Sequence, residues 1–513
     1  MFRKIIRNTT LLSSGILSSR ILGIIRDVII AKYFGTSKIL ESFVVAFRIP
    51  NLLRSLLGEG FSDSVAVPVF SEYQKDKKRL NELGRKVTSL LVFFLISIVV
   101  VGIFFSKFLV MLIAPGFLKD IAKFNLTVKF TQFLFLYLFF IGMVALFNAF
   151  FYAEKRFFLP AFSPCIFNFF LIVGILLFKK YFEGYILILS VLVAGFLQFL
   201  LSFLFLGWRK KIGVKLTEIR GIFKDKDIIR MMKLFFPRIW STLVYQLSVF
   251  VDTIFSSLSW IVGEGALAAV YYANRIIQFP LALVAISISR VAIVDFSYFY
   301  KNENYVDFKK LFLFSFQNIL FFIIPFSLVL IISGRDILEV LFMRGAFSLY
   351  SLNLTSSVLF FYSFGLFFFC GIKLLVNSFY ALKDTLTPAK NATIALVINV
   401  ILSAILIFPL KIAGVALASS LAAAFNFFSL FSKLNQRIKD LISWEDLKGY
   451  ILKLLLLGFL SSLFFKLIFS LGEYNKYVKA FLAVMGGGAL FLFLGNLLKI
   501  EQINYLRGWI RRR

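Results

Sequence analysis

The chain has 513 residues, of which 60% are hydrophobic and only 16% charged, and its mean hydropathy is +0.90; these values place it among polytopic membrane proteins. The formal net charge of +31 would suit nucleic acid, but no soluble domain is present to carry a basic binding face, so nucleic acid is excluded as a partner and the charge is assigned to cytoplasmic membrane loops. Histidine is absent, which excludes histidine-based metal sites, proton shuttles and Ser–His or Cys–His catalysis.

Apolar windows between polar breaks predict an all-α polytopic fold of fourteen transmembrane helices, near 8–33, 39–70, 87–113, 128–153, 158–178, 185–207, 232–258, 266–297, 311–333, 353–381, 389–408, 412–434, 449–470 and 478–498. Met1-Phe2-Arg3-Lys4 leads into the first window with no small-residue cleavage site, so this segment is expected to stay as the first helix. The second, eighth and tenth windows exceed what a bilayer needs, and Pro50 and Pro280 are natural kink points in two of them. Cys165 and Cys370 both lie in apolar runs and read as packing residues.

Basic residues crowd alternate loops: Lys75, Lys77, Lys78, Arg79, Arg85 and Lys86 between the second and third windows, then the run from Arg209 to Arg230, then the tail Arg511-Arg512-Arg513. Loops of the other parity hold three at most, as in Lys119, Lys123 and Lys129, so both termini are expected on the cytoplasmic side. An internal echo accompanies this pattern. Residues 151–161 (FYAEKRFFLPA) match 379–389 (FYALKDTLTPA) at six of eleven positions, 228 residues apart, each copy joining the fourth to the fifth window of a six-window unit. The expected organisation is two pseudo-repeated six-helix lobes, 1–208 and 231–436, joined by a basic loop or interfacial helix at 209–230. A C-terminal helix pair and basic tail occupy 437–513. That is a transporter layout with its site between repeats.

Arg20 lies roughly 20 Å from Arg7 and roughly 18 Å from Lys32 at about 1.5 Å per helical residue, near the middle of a bilayer core about 30 Å thick. Arg54 is similarly placed between Lys38 and Lys75, and Arg275 lies roughly 16 Å from Glu264. A guanidinium at such depth costs at least about 2.5 kcal/mol on insertion scales, and its planar fork of donors suits phosphate or carboxylate. Ser13, Arg20 and Asp27 recur every seven residues and so share a face, with Arg26 about 120° around from Arg20. On the second helix Glu41 and Arg48 share one face while Asn51, Arg54 and Gly58 line another, before Glu59. Two readings compete for these charges. Arg26 and Arg48 can form structural ion pairs, Arg26 with Asp27 or Glu41, whereas Arg20, Arg54 and Arg275 outnumber the central carboxylates and call for an anion, most naturally a phosphate-bearing lipid headgroup. Lys373 either faces a cavity or snorkels, and Asp252 can pair with an arginine, bind a cation or carry a proton.

Ser19-Arg20-Ile21-Leu22-Gly23 with Arg26-Asp27, then AFRIPNLLRSLLGEGFSD at 46–63, VPVFSEY at 67–73 and YYANRIIQFP at 271–280, resemble the MurJ (MviN) family over essentially the whole chain. These are lipid II flippases of the multidrug/oligosaccharidyl-lipid/polysaccharide exporter superfamily. The resemblance implies alternating-access translocation of undecaprenyl-pyrophosphate-linked peptidoglycan precursor (lipid II) from the inner to the outer leaflet of the bacterial cytoplasmic membrane, for cell-wall synthesis, by a monomeric, non-enzymatic protein. The family's cavity arginines map onto Arg20, Arg26, Arg54 and Arg275, its cavity acid onto Glu41, and its Gly-Glu step onto Glu59; Asp27 and Asn51 complete the expected substrate-binding set. Two departures, Asn274 with Gln278 in place of acids and Ala268 in place of a serine, leave this cavity more cationic. No organic cofactor is expected. Some members bind sodium, and the matching positions are Asp252, Asn399, Ser403, Val415 and Ser419, with a serine standing where a carboxylate can occur; sodium or membrane potential would supply the coupling. Two rivals stand beside this reading: a related multidrug or O-antigen lipid exporter, which should lack the Arg20/Arg26/Arg54 trio, and a lipid-phosphate enzyme, which would need an acidic metal cluster or an activated nucleophile.

Overall fold

The computed structural model describes the backbone of residues 2–73, 75–210, 225–439, 441–442, 444–472 and 475–503. Most of the basic segment expected at 209–230, and the arginine tail, lie outside the described residues. Among the described residues the chain is helical. We number the long helices α1 (Phe2–Phe34), α2 (Lys38–Ser55, continued through Leu56–Ala66 and Val67–Glu72), α3 (Lys77–Ile113), α4 (Ile121–Ala153), α5 (Phe158–Phe182), α6 (Tyr185–Lys210) and α7 (Lys226–Ser257). There follow α8 (Ala266–Pro280, Leu281–Ile286 and Ser287–Lys301 end to end), α9 (Tyr305–Phe342), α10 (Leu349–Ala381), α11 and α12 (within Leu386–Arg437), α13 (Trp444–Ser470) and α14 (Lys476–Leu497). Several begin on a side-chain cap that satisfies a free first-turn N–H: Ser37 before α2, Asp76 before α3, Asp120 before α4, Asp225 before α7, Ser348 before α10 and Asn475 before α14. The two proline positions are followed by wide π-helical turns, Leu56–Ala66 after Pro50 and Leu281–Ile286 after Pro280, so the long second and eighth windows are single helices with a loosened middle.

Among the described residues, ten helices, with α11 and α12 taken as one, are long and apolar enough to cross a membrane. Length and apolarity thus identify fewer crossings than the expected fourteen, because α1, α2 and α7 fall outside this set. Arg20, Arg26, Asp27 and Lys32 in α1, and Lys38, Glu41, Arg48 and Arg54 in α2, are the charges that make these two helices unlike plain spans.

Contacts divide the chain into two compact units, Met1–Leu258 and Ser259–Arg513. Within the first, α1 packs on α5, α2 and α3 on α4, and α6 on both α4 and α5. Within the second, α8 and α9 pack on α10, α10 on the α11–α12 pair, and α13 joins α9 and α14. The boundary at 258 puts α7 with the first unit, although the sequence reading begins the second lobe at 231. Polar contacts along the helix explain this. At its start, Asp225 accepts from Arg79 Nη2 and Lys86 Nζ (both 2.8 Å), and Asp227 accepts from Arg79 Nη2 (2.6 Å) and the Tyr73 hydroxyl (3.1 Å). Arg230 forms a two-point pair with Glu72 (2.8 and 2.9 Å). Farther along, Gln246 donates to Ser55 Oγ (3.2 Å), Arg48 donates to the Val249 carbonyl (2.6 Å), and the Gly116 N–H donates to Ser257 Oγ (3.1 Å). Gly116 has no substitute here, since a Cβ would sit 1.9 Å from the Ser257 carbonyl oxygen.

The repeated segments share local geometry as well as sequence. Lys155 and Lys383 both take the left-handed conformation (φ 60°). In each copy the next amide closes a six-residue C-terminal turn, Arg156 N–H to the Phe151 carbonyl (2.8 Å) and Asp384 N–H to the Phe379 carbonyl (2.9 Å). A second matched pair at the same separation, Glu183 (φ 44°) and Lys411 (φ 51°), turns the chain from α5 into α6 and from α11 into α12.

Candidate functional site

The first unit holds most of the singled-out residues. Helix α1 lies close on α5 because Gly15 faces Ala161, where a Cβ on residue 15 would come within 2.7 Å of the Ala161 carbonyl oxygen. One turn farther along this seam, Asn168 of α5 donates to the Ser19 carbonyl (3.0 Å) and Ser19 Oγ (3.3 Å) and accepts from Arg26 Nη1 (2.8 Å). Arg26 also donates through Nε and Nη2 to Asp27 Oδ1 (3.0 and 2.8 Å), and its guanidinium stands 5.9 Å from the Phe167 ring. Phe167 in turn packs with Phe47 of α2 and Tyr137 of α4. Arg26 and Asp27 are both buried, so the ion-pair alternative for Arg26 is the one realised, and Asp27 presents no free carboxylate beside Arg20. Arg20 is exposed and makes no hydrogen bond or ion pair among the described residues.

On α2, Glu41 is buried at 1% exposure and is paired with Lys123 of α4, which also sits 3.9 Å from the Phe117 ring. This places Glu41 in the wall between α2 and α4, where it already balances a buried ammonium. Arg48 is half-buried and spends one guanidinium donor on the Val249 carbonyl. Arg54 is exposed; its Nε donates to Asn51 Oδ1 (3.0 Å), which orients the guanidinium and leaves it without a carboxylate among the described residues. The side chain of Glu59 lies outside the described residues. The first unit therefore sorts its arginines into two kinds, Arg26 and Arg48 engaged in structure, Arg20 and Arg54 presented.

In the second unit, Arg275 stacks on Tyr271, 4.9 Å from the ring, with Nη2 donating to its hydroxyl (3.3 Å). Cation–π contact of this kind holds a guanidinium in place without cancelling its charge. Asn274 is half-buried, Gln278 exposed and Ala268 fully buried, so the substituted positions do not form one patch of equal access. Among the positions matching the family's sodium site, Asn399 Oδ1 accepts from Ser403 Oγ (3.4 Å) and Ser419 Oγ (3.3 Å), beside the buried Val415. Asp252 is half-buried in α7, in the first unit. Lys373 is half-buried in α10, and both cysteines are free thiols, Cys370 buried.

Several partners in this arrangement have no sequence motif. Asn168 and Lys123 sit on apolar helices like many other polar residues, and long-range packing alone reveals what they meet. Tyr271 had one local signal, its position four residues before Arg275 on the same helix face.

A family model described as "Lipid II flippase MurJ" matches residues 30–485. Similar curated proteins named "Probable lipid II flippase MurJ" include that of Buchnera aphidicola subsp. Schizaphis graminum, 31% identical over 512 residues (97% of this chain, 98% of that protein). That of Rickettsia prowazekii is 31% identical over 510 residues (97% and 99%). Among solved structures, "Lipid II flippase MurJ, inward closed conformation" aligns with a TM-score of 0.80 at 26% identity, covering 96% of this chain and 100% of that one. An inward-facing multidrug resistance MATE family transporter of the MOP superfamily aligns with a TM-score of 0.64 at 18% identity (82% and 95%), a likeness of fold.

Proposed function

The chain belongs to the lipid II flippase MurJ family, and from that premise we propose that it carries undecaprenyl-pyrophosphate-linked peptidoglycan precursor from the inner to the outer leaflet of the bacterial cytoplasmic membrane. The observation that carries this reading is the sorting of charges. Arg20 and Arg54 are exposed and have no carboxylate partner among the described residues, while Glu41 and Asp27 are committed to Lys123 and Arg26. A pyrophosphate supplies the missing counter-charge, and guanidinium groups bind it through paired N–H donors. In the second unit Arg275 is held in place by Tyr271.

The chemistry required is binding and release, with no bond made or broken. The headgroup enters from the cytoplasmic side while the prenyl tail stays in lipid. Its charge is met by the presented arginines, and the carrier then opens to the other side. Fourteen crossings with both termini cytoplasmic fit the charge alternation of the loops, and a single copy suffices for this cycle. Within the second unit, the oxygens of Asn399, Ser403 and Ser419 gathered beside Val415 suit a weakly held monovalent cation such as sodium. Bound, the ion would supply positive charge that biases the empty carrier's return; membrane potential could bias the same step.

The test is the accessibility of the lipid II headgroup on the outer leaflet in cells depleted of this protein. Depletion is expected to remove outer exposure while inner-leaflet lipid II accumulates. Unchanged outer exposure would overturn the reading.

A further inference from the structure

A side-chain amide buried among apolar helices is stable only when both its ends find partners. Asn168 is 6% exposed and uses both: Oδ1 accepts from Arg26 Nη1, and Nδ2 donates to the Ser19 carbonyl. The orientation is forced, because a guanidinium only donates and a backbone carbonyl only accepts. An aspartate would lack the donor, and a leucine would lack both. The two contacts straddle Gly23 on α1, where a Cβ would touch Nδ2 at 3.9 Å.

Elsewhere the α1–α5 seam rests on small groups, Gly15 against Ala161 and the Cys165 thiol 3.7 Å from the Gly15 carbonyl. Such contacts fix the distance between helices but resist rotation weakly. A helix with side chains has a radius of roughly 5–6 Å, so a rotation of about 20° moves an attached group by roughly 2 Å. Binding sites tolerate about 0.5 Å. Directional hydrogen bonds at Ser19 and Arg26, one on each side of Arg20 in sequence, are what define the azimuth of Arg20 on α1.

We propose that Asn168 is a positioning residue for headgroup binding: by clamping Ser19 and Arg26 it sets the rotation and register of α1 and so aims the unpaired Arg20 guanidinium at the pyrophosphate. The inference rests on the pyrophosphate reading of Arg20 given above. It assigns the aim of the cationic site to a neutral residue on a different helix.

The test uses the full chain in detergent with two probes, farnesyl pyrophosphate and farnesol, which share a tail and differ in charge. Asn168→Leu is expected to weaken farnesyl pyrophosphate binding about tenfold, the scale of a modest misplacement of a binding group, with farnesol binding unchanged. In an Arg20→Gln background the same substitution is expected to add no further loss, the mark of two residues acting as one. Equal losses for both probes, or additive losses in the double variant, would show a packing role and overturn the proposal, as would undiminished pyrophosphate binding by Asn168→Leu. Should Asn168→Leu fail to fold, Asn168→Asp, which keeps the acceptor for Arg26 and deletes the donor to Ser19, is expected to show the same selective loss. If Arg20→Gln itself binds farnesyl pyrophosphate like the parent, the pyrophosphate reading falls and takes this proposal with it. A normal Asn168→Leu beside a weakened Arg20→Gln overturns the positioning role alone.

Discussion

Exchanging Glu41 for glutamine keeps the shape of the side chain and removes its charge, which separates two roles for this residue, wall or cavity. The wall role predicts a large structural penalty. Lys123 is 5% exposed and Glu41 1%, so the variant leaves an ammonium buried against the Phe117 ring without its carboxylate. Deleting one partner of a buried pair destabilises by about 3–5 kcal/mol, whereas replacing both by neutral groups of similar volume is often close to neutral. Glu41→Gln should therefore lower the melting temperature in detergent clearly, and Glu41→Gln with Lys123→Met should recover most of the loss. Each variant is also scored for complementation in a depletion strain. A Glu41→Gln protein that melts like the parent but fails to complement would refute the wall role and return Glu41 to the cavity.

Arg54→Gln removes a charge-assisted contact worth about 2–3 kcal/mol and should weaken farnesyl pyrophosphate binding at least tenfold with the melting temperature unchanged; titration at two salt concentrations should also show a shallower salt dependence. Gly15→Ala places a methyl against the Ala161 backbone, so it should destabilise by about 1–3 kcal/mol, read as a lower melting temperature that Ala161→Gly partly relieves. Asp225 gives a pH prediction. Burial pushes its carboxyl up, but hydrogen bonds from Lys86, Arg79 and the Asp227 N–H outweigh this and hold it below the ordinary aspartate range. A carboxylate depressed on folding contributes stability in full above its unfolded pKa of about 3.9, and that contribution fades as pH falls through the folded value. The parent should thus exceed Asp225→Asn in melting temperature at neutral pH, with the gap closing below about pH 4; a gap that widens on acidification would contradict the clasp of α7 on α3.

Helix positions and the internal echo were legible in sequence because they depend on local signals: apolar windows between polar breaks, and matched segments at 151–161 and 379–389 whose turns at 155 and 383 share a φ. What sequence could not resolve was which charges already have partners. Sequence left Arg26 a choice of Asp27 or Glu41 as partner; the fold pairs it with Asp27, adds a hydrogen bond to Asn168 and buries it, while Arg20 stays exposed. Glu41 matched a cavity position, and only the packing of α2 on α4 brings Lys123 to it. The assignment of α7 depended likewise on Arg79 and Lys86, which read from sequence only as part of a basic loop.

The sorting of charges bears on how such a carrier can release what it binds. A carboxylate next to Arg20 or Arg54 would compete with the incoming phosphate, and a guanidinium with a permanent partner gains little from a ligand. Burying Glu41 against Lys123 and Asp27 against Arg26 removes those competitors while keeping the acids' structural value. On the pyrophosphate reading, Arg20 and Arg54 stay exposed and without a carboxylate among the described residues until the headgroup arrives. On that reading, binding energy is tied to the charge of the headgroup and not to its sugar or peptide. Neutral analogues should therefore compete poorly even when their carbohydrate is intact, and a prenyl pyrophosphate with no carbohydrate should compete well.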